Sequence, residues 1–305
     1  QWQRVAERAE GELADEQSCF IEGCQRDWDQ LPRPDPPLTV GLDGGHVHAC
    51  HPPPRTEGWF EVIVGKSLPD EGQAKCFAFV TAYDAKPKRR LFETLKSQGL
   101  RMNQQVTFLT DGGDTVRELP WYLCPESEHY LDWFHVTMRL TVMGQMAKGL
   151  ALEQVPLAQV GDEEEELVRL DVPALQKQLE SLKWHLWHGN VYRAFQIVED
   201  LECDLDSPEE HSERAKKLLK AVSEFRHYIA ANGAFIPNYG DRYRHGEAIA
   251  TSFAESTVNQ VISKRMVKKQ QMRWTQRGAH LLLQVRTRVL NDDLRADFER
   301  WYPGL

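Results

Sequence analysis

The sequence predicts an α/β protein: a mixed five-stranded sheet with flanking helices and a large all-helical insertion. Three observations lead there. Strand-like runs at 38–49, 58–68 and 75–83 follow one another with no helix between them, and successive close strands favour antiparallel pairing. Strand and helix then alternate through 86–135, which favours parallel pairing. From about 136 to 232 the apolar spacing is helical throughout.

Residues 1–30 read as mixed helix, and LPRPDPP at 31–37 carries four prolines and reads as a linker. LTVGLDGGHVHA (38–49) is β-rich up to Asp43 and continues past a Gly-Gly. GWFEVIVGKSL (58–68) alternates, with Phe60, Val62 and Val64 on one face. KCFAFVTAY (75–83) is almost continuously apolar and reads as a central strand. KPKRRLFETLKSQG (86–99) is a helix that stops at Gly99. QQVTFLTDGGD (104–114) is a buried strand ending in Asp111, with Asp114 as the cap of a short helix over 115–123. EHYLDWFH (128–135) reads as the fifth strand. In the helical stretch, Asn190 caps one helix and Ser207-Pro208-Glu209-Glu210 starts another. Trp184, Trp187, Phe195, Phe225 and Tyr228 read as the core of that stretch.

Hydrophobic content of 41% and charged content of 27% over 305 residues describe an ordinary globular chain of one large or two modest domains. No apolar run approaches the length needed to cross a bilayer, and no signal peptide is evident, so an intracellular setting with no membrane partner is expected. The chain begins with Gln and is read as a piece of something longer. None of the six cysteines forms C-x-x-C. Cys19 and Cys24 with His46, His48, Cys50 or His51 form a possible zinc set, against which ordinary free thiols are the favoured reading.

Charge is distributed unevenly. The formal net charge is -9, with acid runs at 162–166 and across 199–213. The stretch 251–291 is the opposite: after Glu255 it carries Lys264, Arg265, Lys268, Lys269, Arg273, Arg277, Arg286 and Arg288 and no further acid before Asp292. Val258, Val261, Ile262 and Met266 recur at helical spacing, so a carboxylate opens an amphipathic basic helix. Such a helix suits a metal-holding carboxylate beside a polyanion. Ser252 to Glu255 also fits a capping box, and on this stretch alone capping is the preferred role of Glu255.

Asp43 and Asp111 each end or sit in an apolar strand and each precede Gly-Gly. Glycines leave room for a bulky charged ligand, and three hard oxygen donors suit Mg2+. Two such ions about 4 Å apart can clamp the attacking and leaving oxygens of a phosphodiester. The bland alternative is a pair of turn residues, since D-G is a common turn dipeptide.

VGLDGGHVHA (40–49), FLTDGGDTV (108–116), YLDWFHVTMRL (130–140) and ESTVNQVISKRMVKKQQMRWTQRGAHLLLQVR (255–286) together resemble a bacterial insertion-sequence transposase of the ISKra type, in the DDE superfamily. The resemblance implies a ribonuclease H-like core with catalytic acids at Asp43, Asp111 and Glu255 holding two Mg2+ ions, with Mn2+ as a substitute. It reverses the preference for Glu255 as a cap alone. It implies DNA as partner, cleavage at element ends followed by strand transfer, homo-oligomers assembled on DNA, and a bacterial cytoplasmic, nucleoid-associated setting. Lys264, Arg265, Lys268, Lys269 and Arg273 are the expected DNA-binding residues, with Trp274 packing against DNA or core. Asp132-Trp133-Phe134-His135 resembles the D-x-x-H signature of the wider Mutator-like group. Asp132 and His135 are therefore accessory candidates, weighed equally with an Asp–His hydrogen bond that fixes the strand end. The expected division is an N-terminal helical remnant and linker over 1–37, core over 38–135, helical insertion over 136–250, core helices over 251–291 and a tail over 292–305. The family carries an upstream DNA-end-recognising domain, and the 37 residues before this core show none; with a pI near 5.7 this fits a truncated gene product. A structure-selective nuclease and an inactive or domesticated DNA-binding remnant are the alternatives.

Overall fold

The computed structural model describes residues 2–13, 38–50, 58–69, 72–100, 104–113, 119–120, 127–151, 171–206, 212–267 and 272–303. For Ala151, Ser252, Phe253, Glu255, Lys264, Arg265 and Val267 it describes the backbone. Two units emerge: residues 1–130 with 250–305, and residues 131–249.

In the first unit, β1 (Leu38–His48), β2 (Trp59–Leu68), β3 (Lys75–Val80), β4 (Val106–Thr110) and β5 (Glu128–Leu131) form one sheet in the order β3-β2-β1-β4-β5. β1–β2 and β2–β3 are antiparallel, and β1–β4 is parallel, so the sheet is mixed. Its helices are α1 (Trp2–Glu12) and α2 (Pro87–Ser97), followed late in the chain by α8 (Ser252–Val258), α9 (Gln276–Leu290) and α10 (Leu294–Trp301). α8 continues directly into π-helical turns over Asn259–Val267.

The strand alternation seen in the sequence assigns the two faces. Val40, Leu42, Ile63, Phe77, Phe79 and Phe108 pack on Leu91, Phe92 and Leu95 of α2. Val47, Val62, Val64, Ala78 and Val80 pack on Val261, Ile262 and Met266 of the π turns and on Ala279 and Leu283 of α9. Gly65 is required on the α2 face: a Cβ there would lie 2.2 Å from Cζ of Phe77.

β3 is an edge strand, not the central one its apolar run predicted. The run is apolar because both faces are covered by helices, not because strands flank it on both sides. Its outward backbone groups are met by side chains of α9 and of the residue after it. Asn291 accepts from the Cys76 N–H at 2.8 Å and donates to the Cys76 carbonyl at 2.9 Å. Gln284 donates to the Ala78 carbonyl at 2.9 Å. Covering an edge in this way removes a template for pairing with another chain.

Beside this edge lies a buried polar network. Arg90 of α2 donates to Asp84 through Nε at 2.9 Å, to Gln284 at 2.7 Å and to Glu10 of α1 at 2.9 Å. His280 Nδ1 faces the Val80 N–H, which leaves Nε2 to donate toward Glu10 at 3.3 Å. Glu10, Asp84 and His280 are grouped closely enough to hold a metal ion, but the Arg90 guanidinium already bonds to both carboxylates and supplies the cation. Burial alone would raise the Glu10 carboxyl; the His280 hydrogen bond and the Arg90 charge outweigh it and pull it down to about 2. Because the folded value lies below the ordinary 4.5, this contribution is fully present above about pH 4.5 and is lost as pH falls toward 2. The shift corresponds to a contribution on the order of 3 kcal/mol. Glu10→Gln should therefore flatten the acid limb of a pH–stability curve between pH 5 and 2. A variant melting curve with the same acid dependence as wild type would show that Glu10 contributes nothing there.

The second unit is helical: α3 (Trp133–Ala151), α4 (Val172–Trp187), α5 (Val191–Asp206), α6 (Glu213–Asn232) and α7 (Tyr239–Arg244) around one apolar core. Leu175, Leu179, Leu182 and Leu186 form the buried stripe of α4, and Asn190 caps α5 through the Arg193 N–H at 3.0 Å. The two ends of the unit meet where the Trp133 N–H bonds to the Ile249 carbonyl at 3.0 Å. Phe225 is buried as expected, but Trp184 is 57% exposed and stacks on His188 instead of joining the core. The start of a helix at Ser207 and the capping role of Asp114 lie outside the described residues.

Candidate functional site

Asp43 lies within β1, which runs unbroken through Asp43-Gly44-Gly45; it is not a turn residue. It is 8% exposed, and one carboxylate oxygen accepts from the Gly44 N–H at 2.8 Å. Asp111 follows β4 directly and is half-buried. Its Oδ1 accepts from the Gly113 N–H at 2.9 Å, and Gly112 has a positive φ of 88°, so here the D-G-G does make a turn.

Register brings these two residues together. β1 and β4 are parallel, and Leu42 pairs with Thr110, so Asp43 and Asp111 are the next positions in line. Adjacent strands lie about 4.8 Å apart, and residues opposite each other share a face. Asp43 pairs with Val64 on its other side, and Val64 belongs to the face covered by the late helices. Both carboxylates thus belong to the sheet face that the π turns and α9 cover.

The helix bearing Glu255 crosses that face. α8 packs on β1 and β2. At Gly45, two residues beyond Asp43 on the same face, a Cβ would lie 2.9 Å from Cδ1 of Ile262 and 3.7 Å from Cγ1 of Val258. Gly45 lets the helix approach this closely. Glu255 lies three residues before Val258, which is one helical turn. α8 opens at Ser252, so Thr251 is the N-cap and Ala254 the third helical residue; Glu255 falls one position past the capping-box site.

A further set of hydrogen bonds braces the backbone on either side of Asp111. His129 of β5 meets the Thr110 hydroxyl at 2.7 Å, and the same oxygen accepts from the Gly112 N–H at 3.2 Å. Thr110 is fully buried. Sequence reading missed this support because nothing in a lone EHYL strand marks its histidine as a neighbour of the D-G-G turn.

The basic residues divide by role. Arg273 is exposed. The side chains of Lys264 and Arg265 are not among those described, and Lys268 and Lys269 lie outside the described residues, as do Cys19, Cys24 and His51 of the possible zinc set. Arg277 pairs with Glu7, Arg288 with Asp297, and Arg286 with the backbone of the π turns. These three are structural within a run that looked uniformly cationic. Trp274 packs against the core, and its backbone N–H bonds to the His48 carbonyl at 2.8 Å.

Asp132 and His135 lie in the other unit. Asp132 is not in a strand, as the sequence predicted, but caps α3, accepting from the Phe134 N–H at 2.8 Å and contacting His135 Nδ1 at 2.9 Å. The short polar side chain competes for the first helical amides, which ends the strand at Leu131.

A scan against models of known protein families finds no match to this chain. No curated protein matches it either. The site therefore rests on its own geometry and chemistry. Its candidate donors are all carboxylates, two of them bonded to backbone amides. Hard oxygen donors of this type fit Mg2+ or Mn2+. No helix among the described residues is long and apolar enough to cross a membrane.

Proposed function

We propose that the chain is a DNA transposase acting by metal-dependent phosphodiester chemistry on a ribonuclease H-like core. The observation that carries this reading is the parallel register of β1 and β4, which sets Asp43 beside Asp111 on the face crossed by the Glu255 helix. Asp43, Asp111 and Glu255 would hold two divalent ions, Mg2+ or Mn2+. When bound, these would activate water and stabilise the attacking and leaving oxygens of an in-line displacement. Asp43 and Asp111 have little freedom to reorient, since each is tied to a neighbouring amide. Donors fixed in this way cost little reorganisation as the reaction proceeds.

DNA would lie along the basic segment after Glu255. Lys264, Arg265, Lys268, Lys269 and Arg273 would neutralise phosphates there, a contact that positions the duplex without reading its sequence. Replacing Lys264, Arg265, Lys268 and Lys269 together by Ala should weaken binding to all sequences. It should also reduce the slope of log affinity against log salt by about 3 to 4, since each phosphate contributes about 0.9. An unchanged slope would remove these residues from the interface.

The reaction itself is tested with double-stranded element-end DNA and a target plasmid in Mg2+. A transposase gives a cleaved end and a joined product in which the freed 3′-OH has attacked the target. Cleavage without joining supports the nuclease alternative. Binding with neither product supports a DNA-binding remnant.

A further inference from the structure

We infer that Arg286 is a positioning residue for this site, fixing the rotation of the helix that carries Glu255. The inference rests on the assignment of Glu255 to the site. Arg286 lies in α9, outside the acidic set. Its Nε donates to the Val261 carbonyl at 2.9 Å, and its Nη2 donates to the Gln260 carbonyl. Both carbonyls belong to the π-helical turns that continue α8.

Those turns are unusual. π-helix occurs mostly as single-turn bulges, commonly at functional sites, yet here it extends over nine residues. A guanidinium presents Nε and Nη donors in a rigid fork, and that fork reads two successive carbonyls of the widened helix. At the β1 contact, Val258 and Ile262 reach the position of Gly45. The segment is thus held by polar contacts from α9 and by apolar contacts over β1.

The consequence for Glu255 follows from helix geometry. Relaxing a π turn to α-winding removes one residue from the register, and one residue corresponds to a rotation of about 100°. Glu255 lies four residues before the first π residue, Asn259, so loss of the π winding would turn it relative to Asp43. Arg286 acts on the site through the helix and touches no reacting atom.

The test uses the full chain, with Arg286→Gln and Arg286→Lys. Hydrogen exchange over residues 255–267 should be faster in Arg286→Gln than in wild type. Mn2+ affinity, read without turnover by electron paramagnetic resonance, should weaken by about 10- to 100-fold, the range typical for loss of residues that orient ligands. Arg286→Lys keeps the charge and one donor, so it should fall between the two, and it serves if the Gln variant does not fold. Excess Mn2+ should restore DNA cleavage by both variants, which it would not do for a merely destabilised fold. Unchanged exchange, or unchanged Mn2+ affinity in a folded variant, overturns the role of Arg286 while leaving the acidic site standing. If wild-type Mn2+ binding does not depend on Asp43, the site itself is wrong and the role of Arg286 falls with it.

Discussion

Asp43→Asn, Asp111→Asn and Glu255→Gln are each expected to reduce Mg2+-dependent DNA cleavage by more than about 100-fold, exceeding the effect of losing a residue that merely orients a metal ligand. Each change keeps the size of the side chain and removes its charge. DNA binding and melting temperature should change little. Asp43 and Asp111 each accept from a backbone amide, and an amide side chain retains a carbonyl oxygen for that bond. Glu255→Gln discriminates most sharply. Gln keeps the hydrogen-bonding capacity of Glu without its charge, so cleavage would survive if Glu255 had only a structural role.

The largest stability effect is expected at Arg90. The residue is 7% exposed and bonds to Asp84, Glu10 and Gln284 at once. Burial alone would lower its basicity; the Asp84 hydrogen bonds and charge, with Glu10, outweigh this and raise it. Arg90→Ala leaves the Asp84 and half-buried Glu10 carboxylates near each other without their shared cation. Breaking a buried ion pair from one side costs about 3–5 kcal/mol. Chemical denaturation should register that loss, and it should largely disappear in a background where Glu10 and Asp84 are already Gln and Asn. A cost below about 1 kcal/mol would mean that the network is solvated in solution and holds α1 weakly.

Much of the sheet was legible because strand alternation is local. Phe60, Val62 and Val64 share a face as their spacing requires, and Gly99 stops α2 with a positive φ of 85°. What escaped depends on partners far away in sequence. KCFAFV reads as central because its burial is nearly complete, and its open side is met by His280 and Gln284 of α9 and by Asn291 just after it, all distant in sequence. Asp132 reads as strand because EHYLDWFH alternates, but its carboxylate captures the Phe134 amide in the first turn of α3. The π winding is equally hidden: Val258, Val261, Ile262 and Met266 satisfy an α-helical stripe, and the winding is evident only from the backbone. Within the basic run, Arg286 has the same composition signal as Arg273, although one bonds to backbone carbonyls and the other is exposed.

The claim that Asp43, Asp111 and Glu255 form a single divalent-metal site is tested most directly by counting and ranking Mn2+ bound to the full chain by electron paramagnetic resonance, in wild type and in the three amide variants. Wild type should bind Mn2+ in a set of sites that weakens in all three variants alike, because the carboxylates share the same ions. Binding that is lost in Asp43→Asn and Asp111→Asn but unchanged in Glu255→Gln would contradict it, as would binding unaffected by all three.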